Sequence, residues 1–280
     1  MAAALLAAAC IVLFFARLTK FNATQIFAVS VLLLAWCAGH ILFSQNLYFV
    51  EFTLLLPLGF LALAYNRVSE PIIITTLLAL SIVNFLCRYE FATVFSFLVV
   101  LPVLSFDPDK SMRVKARKAG LYFATTVLGF CIAVAIHIHL VAVDLGIPLK
   151  DAPAIAFGNA AMRTMSLEEG VPAPFSFEFL RLITKSLRQP VLSIPHFPIL
   201  ISKMSVVLAL VVILVVHIKD RRYARAAIIA WAFVAYLSWF VFAYQHLMVH
   251  AMDGLFYDNL LFALTCEICL FSEALRFIST

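Results

Sequence analysis

The fold class predicted for this chain is all-α: a polytopic transmembrane helix bundle of about nine spans with one long amphipathic outer loop. Three observations predict it. Of 280 residues, 65% are hydrophobic and 12% charged, whereas a soluble domain is about half apolar and about a quarter charged. Apolar runs of about 16 to 25 residues recur along the chain, long enough to cross a bilayer as helices. Those runs are continuous, which excludes the short alternating segments of a membrane β-barrel. Finally, lysine and arginine gather in every second connection, as short cytoplasmic loops require.

The apolar segments are, in order, 2–17, 24–43, 47–64, 71–87, 91–106, 119–143, 197–217, 226–243 and 255–275. The first lacks the basic leader of a secretory signal, since Arg17 and Lys20 follow it, so it is read as a span. Its abrupt start carries the expectation that the chain is an N-terminally shortened form of something longer. The fourth and fifth are short and are parted by Arg88, Tyr89 and Glu90. Two spans with a tight turn, or one span and a re-entrant piece, both satisfy that pattern. The whole is expected to be a single membrane domain, 1–280.

The connections set the orientation. Lys110, Arg113, Lys115, Arg117 and Lys118 follow the fifth segment, and Lys219, Arg221, Arg222 and Arg225 follow the seventh. The stretch SQN (44–46) and the stretch QHLMVHAMDG carry no lysine or arginine. With nine spans, every basic connection falls on one side, so the net charge of +5 reads as a topology signal and not as nucleic-acid binding. Cys266 and Cys269 have CxxC spacing, but inside an apolar segment they read as small packing groups. The long outer loop, 144–196, balances five basic against five acidic residues and is rich in proline. Within it, FSFEFLRLITKSL (175–187) places Phe175, Phe179, Leu182 and Ile183 on one helical face, with Arg181, Lys185 and Arg188 elsewhere. Such a helix lies on the bilayer, lids a cavity, or packs on the end of the bundle.

Ionisable side chains in spans are costly, so they normally face a bundle interior or a wet cavity. On this topology Glu51, Arg88, Glu90, His137, His139, His246, His250 and Asp253 gather at the outer face, with His40 and Asp258 nearby. His246 and His250 are spaced i,i+4 and Asp253 continues their stripe, a set that can recognise a polar head group, supply three ligands to a divalent metal, or serve as an interfacial structural pair. HLMVH lacks the glutamate of the HExxH hydrolase motif, and no cofactor is firmly implied. Glu90, which directly precedes a new span, is the best acidic candidate, with Glu51 beside it. His137 and His139, two apart, point to different helix faces.

The stretches CRYEFATVFSFLVVLPVLSF, GFCIAVAIHIHLV and AYQHLMVHAMDGLFYDNLLFAL resemble the later part of GT-C-type integral membrane glycosyltransferases, over scattered positions from about 45 to 265. There a tyrosine–acid pair opens a helix and a histidine-rich pair precedes a final span. The resemblance implies use of a polyprenyl-phosphate sugar at the non-cytoplasmic face. It makes Tyr89, Glu90, His246 and His250 candidate donor or acceptor contacts. One departure is plain. Such enzymes carry an essential acid in a first outer loop, but the first connection here, ARLTKFNATQ, has no Asp or Glu. The resemblance therefore implies either a missing first helix and loop or a non-catalytic relative.

The expectation is thus a multi-pass protein of the plasma or inner membrane that handles a lipid-linked sugar or a similar polar-headgroup lipid. Glu90 and Glu51 are its candidate bases, and Arg88, Arg181, Tyr89, His137, His246, His250 and Asp253 its candidate substrate contacts. A transporter, or a non-catalytic subunit docking another membrane protein, is the alternative from a different class. The scarcity of polar groups in the inner halves of the segments argues against the transporter.

Overall fold

The computed structural model describes residues 50–87, 92–106, 110–164, 176–193, 200–242 and 262–267, with single positions at 9, 10, 13, 17, 269, 270, 273 and 274. Its elements in chain order are α1 (Val50–Ala64), α2 (Glu70–Cys87), α3 (Ala92–Leu98), α4 (Val100–Ser105), α5 (Met112–Leu145), α6 (Ala152–Thr164) and α7 (Phe177–Leu187). Strands β1 (Pro190–Ser193) and β2 (Leu200–Ser202) follow, then α8 (Lys203–Lys219), α9 (Tyr223–Phe242) and a π-helical turn at Ala263–Glu267. The chain is mostly helical, as composition requires. The one departure among the described residues is the antiparallel pair β1–β2, which pairs Ser193 with Leu200.

Two described helices, Met112–Leu145 and Tyr223–Val241, are long and apolar enough to cross a membrane. Glu70–Leu86 and Ala92–Ser105 are shorter apolar helices. The core is apolar, yet aliphatic side chains are exposed as well. Val83 on α2, Leu128 and Leu140 on α5, and Leu208 and Val212 on α8 are exposed, while Ser81, Thr126, Tyr122 and Tyr236 are buried. Such aliphatic surface is costly in water and carries no such cost in hydrocarbon.

Local chemistry explains where elements differ from the apolar segments. The segment 91–106 breaks at Val99, because Pro102 has no N–H for the Leu98 carbonyl one turn back. Helix α5 starts at Met112, not near 119, so most of the basic connection is its first two turns. Met112–Ala119 contains no proline or glycine to delay it. It ends at Gly146, whose φ of 62° allows Ile147 N–H to reach the Ala142 carbonyl at 3.0 Å.

Helix α2 lies along α5, α3 and α4 pack between α5 and α9, and α8 and α9 form a helical hairpin. At Gly129 the α2–α5 contact is so close that a Cβ would stand 2.6 Å from Ser81 Cβ. Trp231 Nε1–H donates to the Phe97 carbonyl at 2.9 Å, tying α9 to α3, and Phe97 also stacks on Phe123 of α5.

Three connections meet at one end. Asn66 ends α1 in the left-handed region (φ 60°) and accepts from Lys110 Nζ at 3.5 Å. Lys118 Nζ lies 3.8 Å from Glu70 and 5.0 Å from the centre of the Tyr65 ring. Arg17 donates to the Tyr65 carbonyl at 3.1 Å, and buried Lys115 donates to the Leu104 carbonyl at 3.1 Å. Cations from two connections, Arg17 in one and Lys110 and Lys118 in the other, thus meet Tyr65, Asn66 and Glu70 of a third at one end of the bundle.

Between α8 and α9, Arg221 also adopts a left-handed backbone (φ 59°), and Arg222 N–H returns to the His217 carbonyl at 2.7 Å. A side chain there costs about 1 kcal/mol against glycine. Arg221→Gly is therefore expected to raise the thermal midpoint in detergent; a fall would show that the side chain contributes more than its backbone strain costs.

Candidate functional site

Just outside the apolar run of α8, the chain builds a buried polar centre. Lys203 is the first residue of α8, capped by Ser202, whose Oγ accepts from Ser205 N–H at 3.3 Å. The β1–β2 hairpin turns the chain so that Lys203 N–H meets the Gln189 carbonyl at 3.0 Å. The lysine is only 1% exposed. Its Nζ donates to Gln189 Oε1 at 3.3 Å and to Ser186 Oγ at 3.4 Å. Ser186 and Tyr236 of α9 share a hydrogen bond of 3.1 Å, in which either hydroxyl can donate. The ammonium also lies 5.5 Å from the centre of the Phe262 ring.

Helix α7 supplies the cover. Ser176 caps it by accepting from Phe179 N–H at 3.3 Å. Phe179 is buried, Leu182 and Ile183 pack against the core, and Arg181, Lys185 and Arg188 are exposed. The face predicted from the sequence is the face that packs. Ser186 lies on its inner side, and the helix rests against α8 at the end of the bundle.

Across from α7, the π-helical turn sets Phe262 and Glu267 closer to one face than α-helical winding would. Glu267 is 4% exposed and feels the Lys203 charge, and its Oε2 has no hydrogen-bond partner among the described residues. Cys266 and Cys269 are both buried.

A second buried pair lies at the far end of α8. His217 Nε2 and Glu273 Oε2 are 2.9 Å apart, with Arg225 Nη1 4.0 Å from the same oxygen. Fourteen residues separate Lys203 from His217, a rise of about 21 Å.

Among the residues expected to form the site, Arg181 is on the outward face of α7, and His137 and His139 are both exposed on α5. None of the three is brought into the Lys203 centre. Glu51 falls in the first turn of α1, with its side chain outside the described set. Arg88, Tyr89, Glu90, His246, His250 and Asp253, with Phe175 of the amphipathic stretch, lie outside the described residues. Among the described residues no group of three His, Cys, Asp or Glu side chains is arranged to hold a metal ion. Lys203, Glu267, His217 and Glu273 escape notice in the sequence because each is one polar residue in or beside an apolar run. The cost of a carboxylate within such a run is the signal that would have found Glu267 and Glu273.

Comparison with protein-family models, curated proteins and solved structures gives no match.

Proposed function

We propose that this protein is a multi-pass membrane helix bundle that handles a lipid with an anionic head group at its non-cytoplasmic end, in the manner of a polyprenyl-phosphate-sugar-dependent transferase. The observation that carries the reading is Lys203. Lys203 is a buried cation at the start of a helix, so its charge adds to the positive end of the helix dipole, a charge distribution suited to an anionic group. The hydroxyls of Ser186 and Tyr236 lie beside it, groups of the kind that phosphate oxygens accept from.

Chain parity supports the placement. From the basic end, α5 rises about 50 Å, more than a bilayer's hydrocarbon thickness, while α6 and α7 rise only about 20 and 17 Å. On this reading α5 crosses once, the 144–196 stretch stays outside, and α8 begins there with Lys203. The aliphatic surface of α8 and α5 then faces lipid tails next to the centre, where a polyprenyl chain would lie. In the transfer itself, an acidic residue takes the acceptor hydroxyl proton as its oxygen bonds the sugar carbon. The sugar–phosphate bond breaks, and cations meet the departing phosphate. Glu90 and Glu51 remain the proposed bases.

Binding of a polyprenyl phosphate and of the polyprenol of equal length to the purified protein tests the reading. The phosphate is expected to bind at least about tenfold tighter, from one charge-assisted hydrogen bond. Lys203→Gln should erase most of that difference and Lys203→Arg should keep much of it. Equal affinity for phosphate and alcohol would overturn the head-group assignment. Full sugar transfer after Glu51→Ala and Glu90→Ala would remove both residues as bases.

A further inference from the structure

We infer that the opposite, basic end of the bundle is a docking surface for anionic phospholipid, formed by Arg67, Arg113 and Arg117. This goes beyond the Lys203 reading and does not depend on it.

The inner cations of this end are occupied. Lys115 is buried on the Leu104 carbonyl, Lys118 is held by Glu70 and the Tyr65 ring, and Lys110 is held by Asn66. Arg67, Arg113 and Arg117 are different: all three are exposed, and no ion pair to any of them occurs among the described residues. Arg113 and Arg117 are spaced i,i+4 and so stand on one face of α5. Arg67 is carried by the turn after α1, which the Lys110–Asn66 contact joins to the approach to α5.

Position along α5 fixes what this face meets. The exposed aliphatic surface begins at Leu121 and continues through Val127 and Leu128. Arg117 lies about 6 Å and Arg113 about 12 Å before Leu121 along the axis. A head-group layer is about 5–8 Å deep on each side of the hydrocarbon. The Arg117 backbone therefore sits within that layer and the Arg113 backbone about 4 Å or more beyond it, from where a long arginine side chain can reach back to lipid phosphates. Exposed Val68, Met112 and Val114 each adjoin one of the arginines in sequence. Apolar side chains interleaved with arginines suit an interface that offers acyl chains and phosphates together, and a water-soluble anion would leave them uncovered.

The test uses the full-length chain purified in mixed micelles of phosphatidylglycerol or phosphatidylcholine, with retained lipid counted by mass spectrometry. Each arginine near an anionic surface is expected to raise affinity about fivefold, so phosphatidylglycerol should be retained at least about tenfold over phosphatidylcholine. The preference should fall towards parity in the R67Q/R113Q/R117Q variant and in about 1 M salt, where screening acts over about 3 Å. The R67K/R113K/R117K variant should keep most of it, which separates loss of charge from loss of fold. Parity in the unaltered protein, or a preference unchanged in the glutamine variant, would overturn the inference. So would displacement of the lipid by millimolar glycerol phosphate, because a site satisfied by the head group alone is not a membrane-docking surface.

Discussion

Lys203→Ala is expected to destabilise the protein by about 3 kcal/mol, the cost of stripping a buried polar centre of its cation. The side chain donates to Ser186 and Gln189 and lies within electrostatic reach of Glu267, which is itself buried. Without the ammonium, Ser186 and Gln189 each lose a donor and Glu267 loses a nearby positive charge. The thermal midpoint in detergent measures the effect. A partner variant separates electrostatics from lost packing. If the two charges compensate one another, Glu267→Gln should be harmful by itself but should recover about 1 kcal/mol or more when added to Lys203→Ala. Simple additivity of the two variants would show that Lys203 and Glu267 are energetically independent. The same cycle bears on function, because a lysine held only by internal partners would be less available to an incoming phosphate.

Legibility from sequence followed the range of the interaction. Helix α7 was readable because eleven residues with a 3.6-residue period carry their own pattern, and Phe179 is buried while Arg181 and Lys185 are exposed, as the pattern requires. The alternation of loop charge is a property of the chain as a string, and Arg17, Lys110 and Lys118 of two basic connections do meet at one end. Lys203 was not readable. Its contacts reach back 14 and 17 residues through a hairpin whose strands are four and three residues long, within a proline-rich stretch. His217 and Glu273 are 56 residues apart, so only folding brings them together. Averaged hydropathy hides all four groups: one charge barely changes the mean of twenty apolar residues. The break at Val99 has a local cause, Pro102, yet Pro57 lies inside the unbroken helix α1. A proline therefore marks a weakened hydrogen-bond ladder, and the surrounding packing decides whether the helix parts there.

Gly129→Val is the second large expected effect, a loss of about 2–3 kcal/mol from overpacking a tight helix contact. Helices α2 and α5 share the closest approach at Gly129 and Ser81, with Ile82 N and Leu78 O each 3.4 Å from the site of a new Cβ. Ser81 cannot swing away, because the obstructing atom is its own Cβ, and its hydroxyl is engaged with the Leu77 carbonyl at 2.6 Å. The helices must therefore separate, and small residues are what allow membrane helices to approach so closely. Even Gly129→Ala should lower the thermal midpoint, and Ser81→Gly in the same chain should restore much of it by removing the opposing Cβ. An alanine variant as stable as the parent would mean that the two helices yield freely at this point. The consequence extends along the pair. Glu70 begins α2 and Lys118 closes the second turn of α5, their charged groups 3.8 Å apart, so separating the helices at Gly129 loads the contact that holds Lys118 inward. Freed from Glu70, Lys118 would add a cation to the exposed basic face. The Gly129→Val protein is accordingly expected to retain phosphatidylglycerol at least as well as the parent while unfolding at a lower temperature, and reduced retention would break the link between helix spacing and surface charge.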